Sequence, residues 1–210
     1  MNVFPDMIQG SEEWFTARRG RPTASNFSRI ITAKGLKMSS QAEGYALELI
    51  AETLRPDEVQ QAFTGNFHTD RGNELEPLAR EEFIKTLNLD VRTVGFVTRE
   101  DGIVGCSPDG LIYKGDEPVA GVEIKCPMAK NHLSYHLGDE LPTEHIIQVH
   151  GSMAVTGLDA WYFMSYCQGV KPFIKLVRRN AVTEAVSSAL DTFLLLYSAT
   201  KKRVIDKLEA

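Results

Sequence analysis

Ser107-Pro108-Asp109-Gly110-Leu111-Ile112-Tyr113, followed by Val122-Glu123-Ile124-Lys125-Cys126, is the stretch that decides the fold. Two acids and a lysine stand among apolar, β-prone residues, and the turn signal Lys114-Gly115-Asp116-Glu117-Pro118 separates the two runs. Together they predict a β-hairpin. Asp116 is midway between Asp109 and Glu123, so folding there brings the two carboxylates across from each other. Strand side chains alternate, which puts Glu123 and Lys125 on one face and Ile124 on the other. Two close anions are costly unless a cation lies between them. Hard oxygen donors suit Mg²⁺ or Mn²⁺, so metal-assisted phosphodiester hydrolysis is the expectation. An acid-x-Lys tripeptide alone is a weak signal, because a charged pair on one strand face also reads as a solvated edge. The Pro-Asp-Gly turn and the hairpin spacing are what strengthen it.

Outward from the hairpin, the pattern predicts helices and strands in mixed order. Ser11-Glu12-Glu13-Trp14 opens a short helix ended by Gly20, and Thr23-Ala24-Ser25-Asn26 opens a second through Ile31. A longer helix is expected over 40–54, a polar irregular stretch over 56–69, and a helix over 69–87 with Leu75, Leu78, Phe83 and Leu87 at helical spacing. Strands are expected near 92–98, 103–105, 109–113 and 119–125, then helices over 128–137 and 143–156 split by Pro142. Two more strands, 161–164 and 172–177, precede a closing helix over 181–206. No repeat, linker or low-complexity tract breaks the chain, so residues 1–210 are expected to form one α/β domain: a central mixed β-sheet flanked by helices.

The chain is 43% hydrophobic and 24% charged, ordinary for a globular domain. No apolar run approaches a membrane span, and the first residues lack the basic and apolar regions of a signal peptide. Cys106, Cys126 and Cys167 are odd in number and widely spaced, which favours reduced thiols and a cytoplasmic setting. The net charge of −5 argues mildly against nucleic acid. Basic clusters at Arg18-Arg19-Gly20-Arg21, Lys34 with Lys37, Arg178-Arg179 and Lys201-Lys202-Arg203 soften that objection, although charge runs commonly form solvated faces. Glycine-rich phosphate-loop and Gly-x-Ser-x-Gly patterns are absent, which disfavours a P-loop ATPase or a serine hydrolase. His132 and His136, with Cys126 upstream, suggest zinc only weakly, since no second ligand pair matches them.

The order Trp14, Arg18, Thr23-Ala24-Ser25, Gly72, Glu76, Ser107-Pro108-Asp109-Gly110, Glu123-Ile124-Lys125 and Gln148 resembles the phage λ-exonuclease-like, or YqaJ, recombinases of the PD-(D/E)XK nuclease superfamily. The match runs from about residue 8 to residue 165. The resemblance implies a restriction-endonuclease-like core. It implies a Mg²⁺- or Mn²⁺-dependent 5′–3′ exonuclease, with two ions per site, that degrades one strand of duplex DNA and leaves 3′ tails for strand annealing. It also implies a homotrimeric ring, a single-strand annealing protein as partner, substrate ends carrying a 5′-phosphate, and a prophage origin in a bacterial cytoplasm. By motif position, Asp109 and Glu123 correspond to metal-binding acids, Ile124 to a carbonyl ligand, Lys125 to the lysine beside the attacking water, and Glu76 to a helix acid, with Glu74 as its rival. Arg18, Ser25 and Gln148 correspond to phosphate contacts.

The chemistry of those residue types agrees with the resemblance. Arg18 offers a planar fork suited to phosphate. Ser25 stands near a helix start, where backbone N–H groups favour an anion. Each has a plainer role open to it: a surface ion pair for Arg18, a helix cap for Ser25, solvent for Gln148 and an ordinary helix acid for Glu76. Trp14 and Trp161 read as core anchors more readily than as base-stacking platforms. An endonuclease of the same superfamily and a non-catalytic DNA-end-binding module are the alternatives.

Overall fold

The hairpin forms in the expected register. In the computed structural model, which describes residues 1–56 and 67–210 (the side chains of 67–71 and Asn73 excepted), β5 (Gly110–Lys114) pairs antiparallel with β6 (Glu117–Lys125). Gly110 lies opposite Val122, and the Asp109 N–H donates to the Val122 carbonyl at 3.1 Å, so Asp109 meets Glu123 across the pair. A bulge at Ile112/Tyr113 shifts the register near the turn. The sheet extends to five strands in the order β2-β5-β6-β7-β8, with β2 at Asp90–Arg92, β7 at Ala160–Ser165 and β8 at Phe173–Arg178. β6 and β7 run parallel and the other pairs antiparallel, which makes the sheet mixed.

The single strand expected over 92–98 is two strands in two sheets. β3 (Phe96–Thr98) leaves the main sheet and lies between β1 (Asn2–Phe4) and β4 (Gly105–Cys106) in a separate three-stranded sheet. The break falls at Gly95, where a Cβ would collide with the Met7 backbone. The second helix is a 3-10 turn, Ala24–Arg29, rather than an α-helix. The remaining helices are α1 (Glu12–Arg18), α2 (Ala42–Leu54), α3 (Phe67–Leu87), α4 (Ala129–Gly138), α5 (Thr143–Thr156) and α6 (Ala181–Leu208). Most of the irregular stretch expected over 56–69 lies outside the described residues.

Strand alternation separates two cores. One face of the sheet carries Leu111, Trp161 and Phe163 and packs with Ile147, Val149 and Met153 of α5, with α6 behind at Val186, Leu190 and Phe193. The opposite face carries Ile112, Val122, Ile124 and Met164 under Ala79 and Phe83 of α3. α5 is therefore central, and Gly151 on it admits the Phe27 ring of the 3-10 turn where a Cβ would clash. α6 starts on a capping box, Asn180 with Thr183, and His150 of α5 bonds Thr183 at 2.7 Å, fixing the two helices together. Among the described residues no helix is long and apolar enough to cross a membrane.

Gly121 of β6 lies under the Trp161 ring, which is fully buried. A methyl group there has no space, and both neighbours are held in the sheet. Gly121→Ala is expected to lower stability by about 1–3 kcal/mol in urea unfolding. An unchanged midpoint would show that Trp161 can move.

Candidate active site

The site stands at the end of the β5–β6 hairpin, where α3 covers one sheet face and α5 the other. Glu123 is buried at 2% exposure. Its Oε1 accepts from Lys125 Nζ at 2.6 Å and from Gln148 Nε2 at 2.5 Å. Glu123 and Lys125 thus share the α5 face, as alternation requires. The Asp109 carboxylate turns back on the hairpin: its Oδ2 accepts the Ile124 N–H at 2.5 Å. The Ile124 N–H thereby ties β6 to the Asp109 side chain.

α3 supplies the third carboxylate. Glu76 accepts from Arg80 one turn later, and Arg80 Nε also donates to the Asp109 carbonyl at 2.8 Å. Glu74 is exposed, whereas Glu76 is half-buried and interacts electrostatically with Glu123 and Lys125. Of the two helix acids, Glu76 is the one that faces the cluster. Arg80 joins two of the acids, a role its sequence position conceals: i,i+4 spacing reveals the Glu76 pair but not the bond to a carbonyl 29 residues away.

Charge crowding dominates the electrostatics. Burial first, then Glu123 and Glu76, pushes the Asp109 carboxyl well above its ordinary value. Burial also raises Glu76, with Arg80 opposing. For Lys125, burial works against the charge, but Glu123 and Asp109 overcome it and hold the ammonium above its usual range. Surplus negative charge on hard oxygens is what a divalent cation relieves. Among the described residues no three His, Cys, Asp or Glu side chains converge into a closed metal cage. Mg²⁺ does not require one, because it keeps several waters and takes one or two carboxylates. Asp109 and Glu123 fit that donor set. His132 and His136 do not supply zinc ligands: His132 pairs with Ser165 at 2.8 Å and with the Lys171 carbonyl at 3.0 Å, and His136 Nε2 donates to the same carbonyl at 2.9 Å.

A second polar cluster adjoins the first through Ser107. Arg18 Nη1 donates to Ser107 Oγ at 3.0 Å, and Nη2 lies 3.1 Å from Thr23 Oγ1 and 3.4 Å from Ser25 Oγ. The guanidinium stacks over Trp14 at 4.2 Å. Arg18 is therefore ringed by hydroxyls rather than placed in a surface ion pair, and burial lowers its pKa. Ser25 is exposed within the 3-10 turn, and Thr23 holds the cap position there, so Ser25 is not a helix cap. Trp14 is half-buried and donates to Ser107 Oγ at 2.9 Å, while Trp161 is a core anchor. Gln9 completes the clamp on this turn, donating to the Pro108 carbonyl at 3.0 Å. Thr23 and Ser107 lie within the quoted motif blocks without an assigned role, and Gln9 carries no sequence signal that marks it as a site residue.

The YqaJ-like viral recombinase domain model matches residues 13–159. The chain belongs to that family. Among solved structures it is similar to an alkaline exonuclease from Laribacter hongkongensis, with 29% identity, a TM-score of 0.81, and coverage of 95% of this chain and 98% of that one. That relative has also been solved in complex with dAMP, at 28% identity and the same TM-score. A phage-related exonuclease from Haemophilus somnus 129PT shares the fold, at 17% identity, a TM-score of 0.63, and coverage of 90% and 96%. A search of the curated proteins found no match.

The crowding at Asp109 has a consequence for stability. Its folded-state value is raised, so stability from this group is present below the unfolded value of about 3.9 and is lost as pH rises through the folded one. Asp109→Asn removes the charge and keeps an oxygen for the Ile124 N–H. It is expected to raise the thermal midpoint of metal-free protein at pH 7, with the gain shrinking as pH falls through the folded value of Asp109. A lower midpoint at pH 7 would contradict the crowding.

Proposed function

We propose that the chain is a Mg²⁺- or Mn²⁺-dependent exonuclease that degrades one strand of linear double-stranded DNA from 5′ to 3′, leaving 3′ tails for recombination by strand annealing. The observation that carries the reading is the contiguous Asp109–Glu123–Lys125 cluster at the hairpin end. Membership of the YqaJ-like family and the likeness to alkaline exonucleases support DNA as substrate and exonuclease as class. When bound, the metal (two ions per site on this reading) lowers the pKa of water and neutralises charge on the phosphate. Asp109 and Glu123 would hold it, with the Ile124 carbonyl and Glu76 as further ligands. Lys125 stands beside the attacking water, and its ammonium offsets charge that builds on the phosphate. Gln148 keeps Glu123 oriented through its 2.5 Å bond and reaches the scissile phosphate when DNA is present. Arg80 fixes Asp109 relative to Glu76.

The deciding assay compares linear duplex with covalently closed plasmid in Mg²⁺. Loss of linear DNA with intact circles supports the exonuclease. Nicked circles favour the endonuclease alternative, and no hydrolysis favours a binding module. Glu123→Ala and Lys125→Ala are each expected to lower the rate at least about a thousandfold while the protein stays folded and binds DNA. Near-wild-type turnover by either would end this mechanism.

Arg18, with Ser25, Thr23 and Ser107, receives the 5′-phosphate on the same reading. The guanidinium donates to neutral hydroxyls rather than to a carboxylate, so its charge is left for an incoming phosphate. Arg18→Ala is expected to narrow the rate gap between 5′-phosphate and 5′-hydroxyl duplexes. Absence of any such gap in the wild type would remove the pocket. A homotrimer and a single-strand annealing partner complete the proposal. Sedimentation at about three times the 23.4 kDa chain mass tests the former, and co-purification at low salt the latter.

A further inference from the structure

α5 presents a second polar side chain toward the cluster. His145 is three residues before Gln148, so the two share a helix face. Its ring stacks on Phe163 at 4.9 Å and 28°. Phe163 is the register partner of Glu123 in the parallel β6–β7 pair, and paired residues project to the same side of the sheet. The imidazole therefore lies beside Glu123 and Lys125 on the face where Gln148 bonds Glu123. Tyr135 closes the far side, edge-on to both His145 and Phe163, with its hydroxyl donating to Glu144 at 2.8 Å. Among the described residues neither ring nitrogen of His145 makes a hydrogen bond. His132 and His136, which make edge-on ring contacts, both spend a nitrogen on the Lys171 carbonyl.

Resting on the nuclease reading above, we propose that His145 is a further substrate-contacting residue, donating an imidazole N–H to a non-bridging phosphate oxygen of the DNA strand beside the scissile linkage. The Phe163 stack fixes the ring plane, so the donor is aimed before substrate arrives. Burial, with Lys125 nearby, pushes the imidazole down to about 4, so the ring is neutral at physiological pH. It adds a donor without adding a second cation beside Lys125. Lys125 and Gln148 each spend a donor on Glu123 Oε1, whereas among the described residues both ring nitrogens of His145 are free for substrate.

The test uses full-length protein and a 5′-phosphorylated linear duplex. His145→Phe keeps an aromatic ring on Phe163 and removes the N–H. It is expected to retain the wild-type unfolding midpoint within a few degrees and to lose about ten- to a hundredfold in kcat/KM. His145→Asn and His145→Gln return an N–H at the two ring-nitrogen positions, and one of them is expected to recover most of that loss. A phosphorothioate of one diastereomer at the contacted phosphate should slow the wild type and leave His145→Phe unaffected. Full activity in His145→Phe overturns the proposal, as does failure of both amide variants to improve on it, or an equal sulfur effect in wild type and His145→Phe. A wild-type protein that does not cleave the duplex fails the nuclease reading itself, which separates the two failures.

Discussion

Three carboxylates crowd around one ammonium at the end of a hairpin, and much of the molecule serves to hold them there. Asp109 and Glu123 are brought together by strand register alone, since Gly110 pairs with Val122. Register cannot by itself overcome the repulsion between them. The structure answers with donors from every neighbouring element: Lys125 from β6, Gln148 from α5, the Ile124 N–H from the hairpin, and Arg80 from α3. Each bond ties a separate element to the same few atoms. The apolar packing on both sheet faces sets the distances, because Phe83 and Ala79 hold α3 against one face while Ile147 and Met153 hold α5 against the other. Leaving Asp109 protonation-prone is a cost of the arrangement that a bound cation would remove.

The hairpin was legible because it is local. Its turn residues, its alternation and its pair spacing all lie within 20 residues, and each points to the same register. Helices α2, α5 and α6 were legible for the same reason, their apolar residues recurring at helical spacing. The small sheet was not. β1 has three residues, and its pairing with β3 spans more than 90 positions, so nothing near Asn2 announces it. The run over 92–98 reads as one β-prone stretch, and the close approach of Gly95 to the Met7 backbone, which is distant in sequence, marks where the chain passes from one sheet to the other. The 3-10 turn at Ala24–Arg29 was read as an α-helix from its capping residues, which serve both kinds of turn.

The site divides along the same line. Residue types with a chemical signature, such as Asp109, Glu123 and Lys125, declared themselves through spacing. Glu76 could be separated from Glu74 only by seeing which one meets Arg80 and the sheet end. Arg80, Gln9 and Ser107 act through hydrogen bonds to partners far away in sequence, and a side chain that will bond a distant group looks like any other in sequence. The zinc reading of His132 and His136 fails for a related reason. Spacing on a helix reports that two rings share a face, but it does not report that a carbonyl from another loop already occupies both.

The two polar clusters are not independent. Ser107 takes bonds from Trp14 and Arg18, Pro108 from Gln9, and Asp109 from Arg80, so three consecutive residues are clamped from both sides. Two peptide units span at most about 7 Å between Cα atoms, so a short tether joins the two clusters. The rigidity of Ser107-Pro108-Asp109 then keeps the Arg18 cluster and the carboxylates in a fixed relation. Proline at the centre restricts the backbone of that tether, which a more flexible residue would loosen.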